Sequence, residues 1–541
     1  MDAAKSTDAL SPQNAGGSKQ IQFSSSRAGS RAGSRAGSKA DLRAGGSGSQ
    51  RGSSVSLEKM SMSSRRIVAE DSQWNLAVVE SLTAMCVRAI VEKFETRPLL
   101  AGLPSKYRAR VLASISVDIP LLKVVAIVED DAPLPAGTPA RPGYWQRRCN
   151  AHFPDGQITR HNGSWKQMYC ERTLERDLAA FIPGKGGEFE LSQLARAVAP
   201  NVVQLDIVQM QPDANHSDPA ERKAIDPNPD HFDPDILVSN LDQLKKVSLY
   251  YGVNDIGMKF QFWLYGMTTN DSILLSKGLK KARWSHLTLT RNWIDDAKVT
   301  QLCEGLKSHK FLVTLELDHN RIGDAGAKCL AGVLMSPNCA IQHLDLSNNQ
   351  IGGLGAAHLA KALQTIGKAG RALASLTLRL NPLGNDGAFV IAYALNLVMP
   401  KPPMMSDTMP VSAPIADAPP VLGKLDLSAT TMGPSSLEQC AELVARDAVG
   451  ELDISCNAFA SNDPDAIRPS EDGMNANGPV STLSAAAQAE RDRLVESLGK
   501  MVWTSVQSSR RIKNVDLRST DLPTSVVDAV QSTMLQRATA I

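Results

Sequence analysis

The sequence is poor in the features that carry chemistry by themselves. Aromatic residues make up 5% of its 541 residues, and its eight cysteines (86, 149, 170, 303, 329, 339, 440 and 456) form no C-x-x-C pair. A chain this long needs no disulfide staples. Its cysteines are expected to be small buried hydrophobes in a reducing compartment. No stretch reaches the ~20 apolar residues that span a bilayer; the longest, such as 389–399, stop well short. No signal-like segment opens the chain, so neither a membrane nor a secreted class is expected. Net charge is near zero, with 58 Lys and Arg against 56 Asp and Glu, so bulk charge predicts no binding to nucleic acid or membrane.

Catalytic signatures are missing too. There is no G-x-x-x-x-G-K-S/T phosphate loop, because Gly184, Gly367, Gly423 and Gly499 precede lysines without the upstream glycine or the following hydroxyl. G-x-S-x-G and H-E-x-x-H are absent. Cys149, His152 and His161 lie close together but lack a fourth ligand at a recognised spacing, so core packing is expected, with no metal and no cofactor. The chain is therefore expected not to be an enzyme.

What is present is uneven. Residues 1–66 hold eleven Lys and Arg against four acids and repeat Arg-Ala-Gly-Ser from Arg27, Arg31 and Arg35. Such a segment buries too little apolar area to offset its ordering entropy, so residues 1–64 read as a disordered basic tail. Residues 65–200 read as a mainly helical domain. Helical spacing runs from Ile67 through Trp74 to Ile90, and again over 103–115, 164–181 and 189–198. Trp74, Trp145 and Trp165 are expected in its core rather than at a partner surface. Residues 201–240 read as a degenerate first strand, Val203/Leu205/Ile207, followed by an acidic, proline-rich loop; 211–235 hold seven acids and two bases.

From 241 to 541 one pattern recurs: apolar, x, apolar, x, x, Asn, x, apolar. It appears at Leu287/Leu289/Asn292, Leu315/Leu317/Asn320, Leu344/Leu346/Asn349 and Leu376/Leu378/Asn381. Weaker copies fall at Leu425/Leu427/Thr430, Leu452/Ile454/Asn457 and Val515/Leu517/Thr520. The shortest spacings, near 28 residues, identify long leucine-rich repeats of the ribonuclease-inhibitor-like kind. The fold class is therefore an α/β solenoid, with parallel strands inside and helices outside. Insertions at about 399–421 and 460–485 account for the two long spacings. The repeat asparagines, Asn292, Asn320, Asn349, Asn381 and Asn457, are expected to bond backbone where the chain turns.

Strand side chains facing away from the core form a concave wall. They are Thr288, Thr290, Glu316, Asp318, Asp345, Ser347, Thr377, Arg379, Asp426, Ser428, Asp453, Ser455, Asp516 and Arg518. Six acids against two bases make it a candidate face for a basic partner. Equally, Asp at this position can satisfy local backbone groups. Arg291 and Arg321, beside their repeat asparagines, are the only candidates for a GTPase-activating loop arginine.

Outside the repeats, R-R-I-V-A-E-D-S-Q-W-N-L-A-V-V (65–79) and H-N-G-S-W-K-Q-M-Y-C-E-R-T-L-E (161–175) resemble the dynein regulatory complex subunit 5 family, also called the T-complex-associated testis-expressed protein 1 family. F-I-P-G (181–184) and G-M-K-F-Q-F (257–262) add to the resemblance, which runs from about 65 to 400 and more loosely beyond. It implies a non-catalytic scaffold of the nexin–dynein regulatory complex, which links axonemal doublet microtubules in motile cilia and flagella. The partners it implies are other subunits of that complex, including another leucine-rich-repeat subunit. The basic N-terminus adds doublet microtubules or tubulin tails as candidates. A substrate-recognition adaptor of a cytosolic ubiquitin ligase is the alternative, although residues 65–120 show no F-box pattern.

Overall fold

The computed structural model describes residues 64–66, 78–131, 142–212, 231–254, 264–398, 421–460 and 485–539. The tail up to residue 63, Trp74, the segment 257–262, most of the acidic loop and nearly all of both insertions lie outside the described residues.

The helical expectation from Ile67 overreaches. β1 (Ser64–Arg66) pairs antiparallel with β2 (Val78–Glu80), and the first helix, α1, spans only Leu82–Glu92. β-branched Val78 and Val79 favour extended backbone. Ser81 then caps the helix, its Oγ accepting the Ala84 N–H at 3.2 Å. There follow α2 (Ser105–Ser114), α3 (Leu121–Val124), α4 (Tyr144–His152), α5 (Trp165–Ala180) and α6 (Glu188–Val198). Trp145 is fully buried between them, its indole N–H donating to the Glu129 carbonyl at 2.9 Å. Trp165 is only partly buried against the same core.

Among the described residues, nine parallel strands in chain order make one sheet. They are β3 (Gln204–Ile207), β4 (Lys246–Leu249), β5 (His286–Thr288), β6 (Thr314–Glu316), β7 (His343–Asp345), β8 (Leu373–Thr377), β9 (Leu422–Asp426), β10 (Val449–Asp453) and β11 (Asn514–Asp516). The degenerate strands proposed around Leu205 and Leu249 thus belong to the array. Helices α7 (Asp235–Asn240), α8 (Thr269–Leu279), α9 (Asp296–Leu306), α10 (Asp324–Leu334), α11 (Gly353–Lys368), α12 (Gly384–Val398), α13 (Pro434–Ala445) and α14 (Ala485–Ser508) each return the chain to the next strand. α15 (Thr524–Thr539) follows β11. The pattern leucines stack in register: Leu287, Leu315, Leu344, Leu376, Leu425, Leu452 and Val515 are mutual neighbours, each at most 2% exposed.

The asparagines join one repeat to the next. Asn320 Oδ1 accepts the N–H groups of Asn292 (2.9 Å) and Ile294 (3.1 Å), and its Nδ2 donates to the carbonyls of Leu289 and Leu317. Asn349, Asn381 and Asn457 likewise accept from the turn of the preceding repeat, at Ile322, Ile351 and Thr430, and donate to its carbonyls, while Asn292 reaches back to Tyr251 and Leu249. The residue before each is left-handed, from Arg291 (φ 59°) to Cys456 (φ 58°), which tips the amide into the core. Thr430 is too short for this. Its hydroxyl satisfies only Leu427 of its own repeat, and the Leu383 N–H one repeat back bonds Asn381 O instead.

A second ladder runs along the helix starts. Asp296 Oδ1 accepts from the N–H groups of Gly323 and Gly326, and Asp324 Oδ1 from Gly352 and Gly355. A Cβ at Gly326 or Gly355 would sit 2.6 Å from that carboxylate, so only glycine admits the contact. At the N-terminal end, α5 closes the open edge of β3. Buried Glu171 Oε1 accepts from Val203 (2.8 Å) and Gln204 (3.0 Å), and Glu175 Oε1 from Asp206 (2.8 Å). An edge strand left unpaired invites another chain, and here two carboxylates one helical turn apart occupy it.

Two outcomes follow. In urea unfolding, Asn349→Ala should cost about 1–3 kcal/mol through orphaned backbone groups, and Leu346→Ala about 2–5 kcal/mol through a cavity; a cost near zero for either would contradict the ladder. His309 supplies the pH dependence. Its buried Nδ1 accepts from the N–H groups of Phe311 (3.2 Å) and Leu312 (3.1 Å), and burial pushes its pKa from 6.5 down to about 4. The unfolded chain then protonates first, so stability is full above pH 6.5 and falls by about 2–3 kcal/mol towards pH 4.5. His309→Gln should flatten that slope, and an unchanged slope would contradict it.

Candidate partner-binding face

The sheet brings the predicted wall residues into columns. Thr288, Glu316, Asp345, Thr377, Asp426, Asp453 and Asp516 are lateral neighbours down one column, which continues through Ser248 to Asp206 at its N-terminal end. Thr288 Oγ donates to Glu316 at 2.9 Å, and Thr290 Oγ to Asp318 at 2.6 Å. His319 Nδ1 lies 2.8 Å from the other Asp318 oxygen. Thr377 is half-buried and Arg379 exposed.

The remaining aspartates have a different role. Asp345 Oδ1 accepts both the N–H and the hydroxyl of Ser347, at 2.8 and 2.5 Å. Asp426 holds Ser428 in the same way, and Asp453 holds Ser455. Asp426 is only 7% exposed, so it offers a partner almost no surface. The local-satisfaction reading describes these three aspartates. Asp516 is engaged by the Arg518 guanidinium, which holds its carboxyl below the usual range. Glu316 and Asp318 are left as the partly exposed wall acids that do not brace a serine, bonded instead by Thr288, Thr290 and His319.

A parallel column was missed. The residue just before each first strand leucine also faces inward, giving Gln204, Lys246, His286, Thr314, His343, Ser375, Lys424, Glu451 and Asn514 as lateral neighbours. Burial, reinforced by Lys246, lowers the His286 pKa below its ordinary value. The face therefore sets a mixed column of lysine, imidazole and one glutamate beside the acidic one. Counting one position further back in every repeat would have found it. At its N-terminal end the face deepens into a cleft of about 460 Å3 that Arg160, Glu175, Lys246, His286 and Glu316 border.

The other candidates take up structural contacts. Cys149 Sγ donates to the Trp165 carbonyl, and burial pushes its thiol, like those of Cys170, Cys303 and Cys440, up to about 12. His152 bonds the Tyr169 hydroxyl at 2.7 Å, and His161 pairs with Glu171 at 2.5 Å. Arg321 stacks its guanidinium 4.5 Å from the Trp293 ring centre. Among the described residues no group of three or more His, Cys, Asp or Glu is placed to hold a metal ion.

With this geometry in place, comparison with known proteins is informative. The leucine-rich-repeat family model (Leucine Rich repeat) matches residues 308–331 and 338–360. Over 278 residues the chain is 32% identical to dynein regulatory complex subunit 5 of Mus musculus, covering 49% of this chain and 54% of that one. The chain resembles dynein regulatory complex subunit 5. The Homo sapiens protein of that name is 33% identical over 49% of this chain and 53% of its own. That of Chlamydomonas reinhardtii is 28% identical over 41% and 50%. The chain thus spans about half the length of the curated relatives it matches. The fold is the leucine-rich-repeat solenoid that the repeats predicted.

Surface and turn acids should respond differently to mutation. Glu316→Lys with Asp318→Lys should cost less than about 1 kcal/mol in urea unfolding, because the partly exposed threonine hydroxyls and imidazole they release can bond water instead. Asp426→Ala should cost about 1–3 kcal/mol because two buried donors of Ser428 lose their acceptor. Equal costs for the two variants would contradict the division between them.

Proposed function

We propose that the chain is a non-catalytic scaffold subunit of the nexin–dynein regulatory complex in the axoneme of cilia or flagella. There it would help hold the link between doublet microtubules that regulates dynein-driven motility. The observation that carries this reading is the similarity to relatives named as dynein regulatory complex subunit 5 in both mammals and an alga. The architecture is compatible with it. A solenoid gives a long, stiff, curved surface, and the four most buried thiols are held protonated and inert.

The partners are other subunits of that complex, including a second leucine-rich-repeat subunit, with tubulin tails as a further contact for the basic N-terminus. The concave face is the proposed docking surface. Its acidic column suits a partner with basic side chains, and Glu316 and Asp318 stand where one would land. The ubiquitin-ligase alternative has no observation in its favour.

The test is the fate of the tagged full-length protein in a ciliated cell. Retention on isolated axonemes through low-salt washing, and release together with other regulatory-complex subunits at high salt, is expected. A wholly soluble pool, absent from axonemes, would overturn the proposal. The Glu316→Lys, Asp318→Lys pair should be released at lower salt than wild type while remaining folded.

A further inference from the structure

A second recess lies away from the concave face. α3, α4, α5 and α6 border an open recess of about 500 Å3, within the ~300–1,000 Å3 range of ligand sites. Ile119, Leu121, Phe181, Leu191 and Leu194 make its walls apolar. Arg148 borders it and is 3% exposed.

Arg148 is a buried cation without a counter-charge. Its Nη1 donates to the Tyr144 hydroxyl (2.7 Å) and its Nη2 to the Ile119 carbonyl (2.6 Å). Its guanidinium lies 4.5 Å from the Tyr169 ring centre. These partners are all neutral, and among the described residues Arg148 forms no ion pair. Its Nε has no hydrogen-bond partner. Neither has the hydroxyl of Thr173, a second residue of the cavity lining that is 5% exposed. A neutral donor would serve Tyr144 and Ile119 without the desolvation cost that a charge incurs. The rim acids do not meet the need. Asp118 pairs with His152 at 3.2 Å, Asp177 accepts from Arg176 at 3.0 Å, and Glu190 is exposed on the first turn of α6.

We infer that this cavity binds an Asp or Glu side chain of a partner polypeptide, carried between apolar residues that fill its walls. The Arg148 charge, acting in a low-dielectric recess, supplies the attraction, and the apolar walls require an apolar flank. A phosphate group fits less well. The rim carboxylates Asp118, Asp177 and Glu190 repel a phosphate dianion more strongly than the single charge of a carboxylate. The inference rests on the reading of the chain as an assembly subunit and gives that subunit a second docking point, on the helical cap.

The test pans a random displayed-peptide library on the immobilised full-length protein, then measures the leading peptide by fluorescence anisotropy. Enriched sequences should carry Asp or Glu beside Leu, Ile or Phe. Changing that acid to Gln or Asn in the peptide should weaken binding about tenfold or more, the loss expected for a charge-assisted bond. Arg148→Gln should do likewise. Leu122→Glu leaves Arg148 in place, adds a competing carboxylate at the mouth, where Leu122 is 49% exposed, and should also weaken binding. It decides the matter if Arg148→Gln does not fold. The absence of an acidic consensus, undiminished binding to Leu122→Glu, or displacement of the peptide by millimolar inorganic phosphate would each overturn the inference. A protein that selects acidic peptides yet stays off axonemes refutes only the axonemal reading, whereas one retained there that selects none refutes only this cavity site.

Discussion

The solenoid depends on a buried amide in five of its repeats. A parallel strand of three residues makes too few ladder bonds to hold its neighbours, and the turn beyond it leaves backbone donors and acceptors inside the core. An asparagine resolves both problems, because its side chain offers a donor and an acceptor at once. Asn320 serves the turn of its own repeat through Leu317 and that of the preceding repeat through Ile294 and Leu289. Each repeat is thereby locked to the one before, and the concave face inherits its regular columns from that lock. Where threonine replaces asparagine at Thr430, the side-chain bond within the repeat survives and the side-chain bond to the preceding repeat is lost, leaving the backbone bond from the Gly384 N–H to the Thr430 carbonyl.

The repeat grammar was legible because it is local. Leucine alternation, the asparagine three residues beyond the second leucine, and the glycines that open each helix all fall within about a dozen residues of sequence. The meaning of the concave aspartates was less legible, since a carboxylate two residues before a serine reads equally as a binding group and as a turn brace. Geometry separates them. Asp345, Asp426 and Asp453 brace their serines, whereas Glu316 and Asp318 bond only threonine side chains and the imidazole of His319.

Contacts remote in sequence were not legible. Glu171 and Glu175 close the edge of β3 from more than thirty residues away, and nothing in their local pattern distinguishes them from solvated helix carboxylates. Both lie in the segment 161–175 on which the family resemblance rests, so part of that segment's content is the cap itself. The helical spacing read from Ile67 to Ile90 is interrupted at Val78–Glu80 for the opposite reason. Apolar spacing continues through Val78 and Val79, but these pair as a strand and Ser81 caps the start of α1, while residues 67–77 lie outside the described residues.

The central claim is that the solenoid works through its inner face. It is tested most directly by lysine cross-linking and mass spectrometry of the salt-extracted axonemal complex. Lys246 and Lys424 stand on the concave columns, while Lys328 and Lys361 lie exposed on the outer helices α10 and α11. The account predicts cross-links from Lys246 and Lys424 to other subunits. Cross-links confined to Lys328 and Lys361, with the inner lysines unlinked, would contradict it.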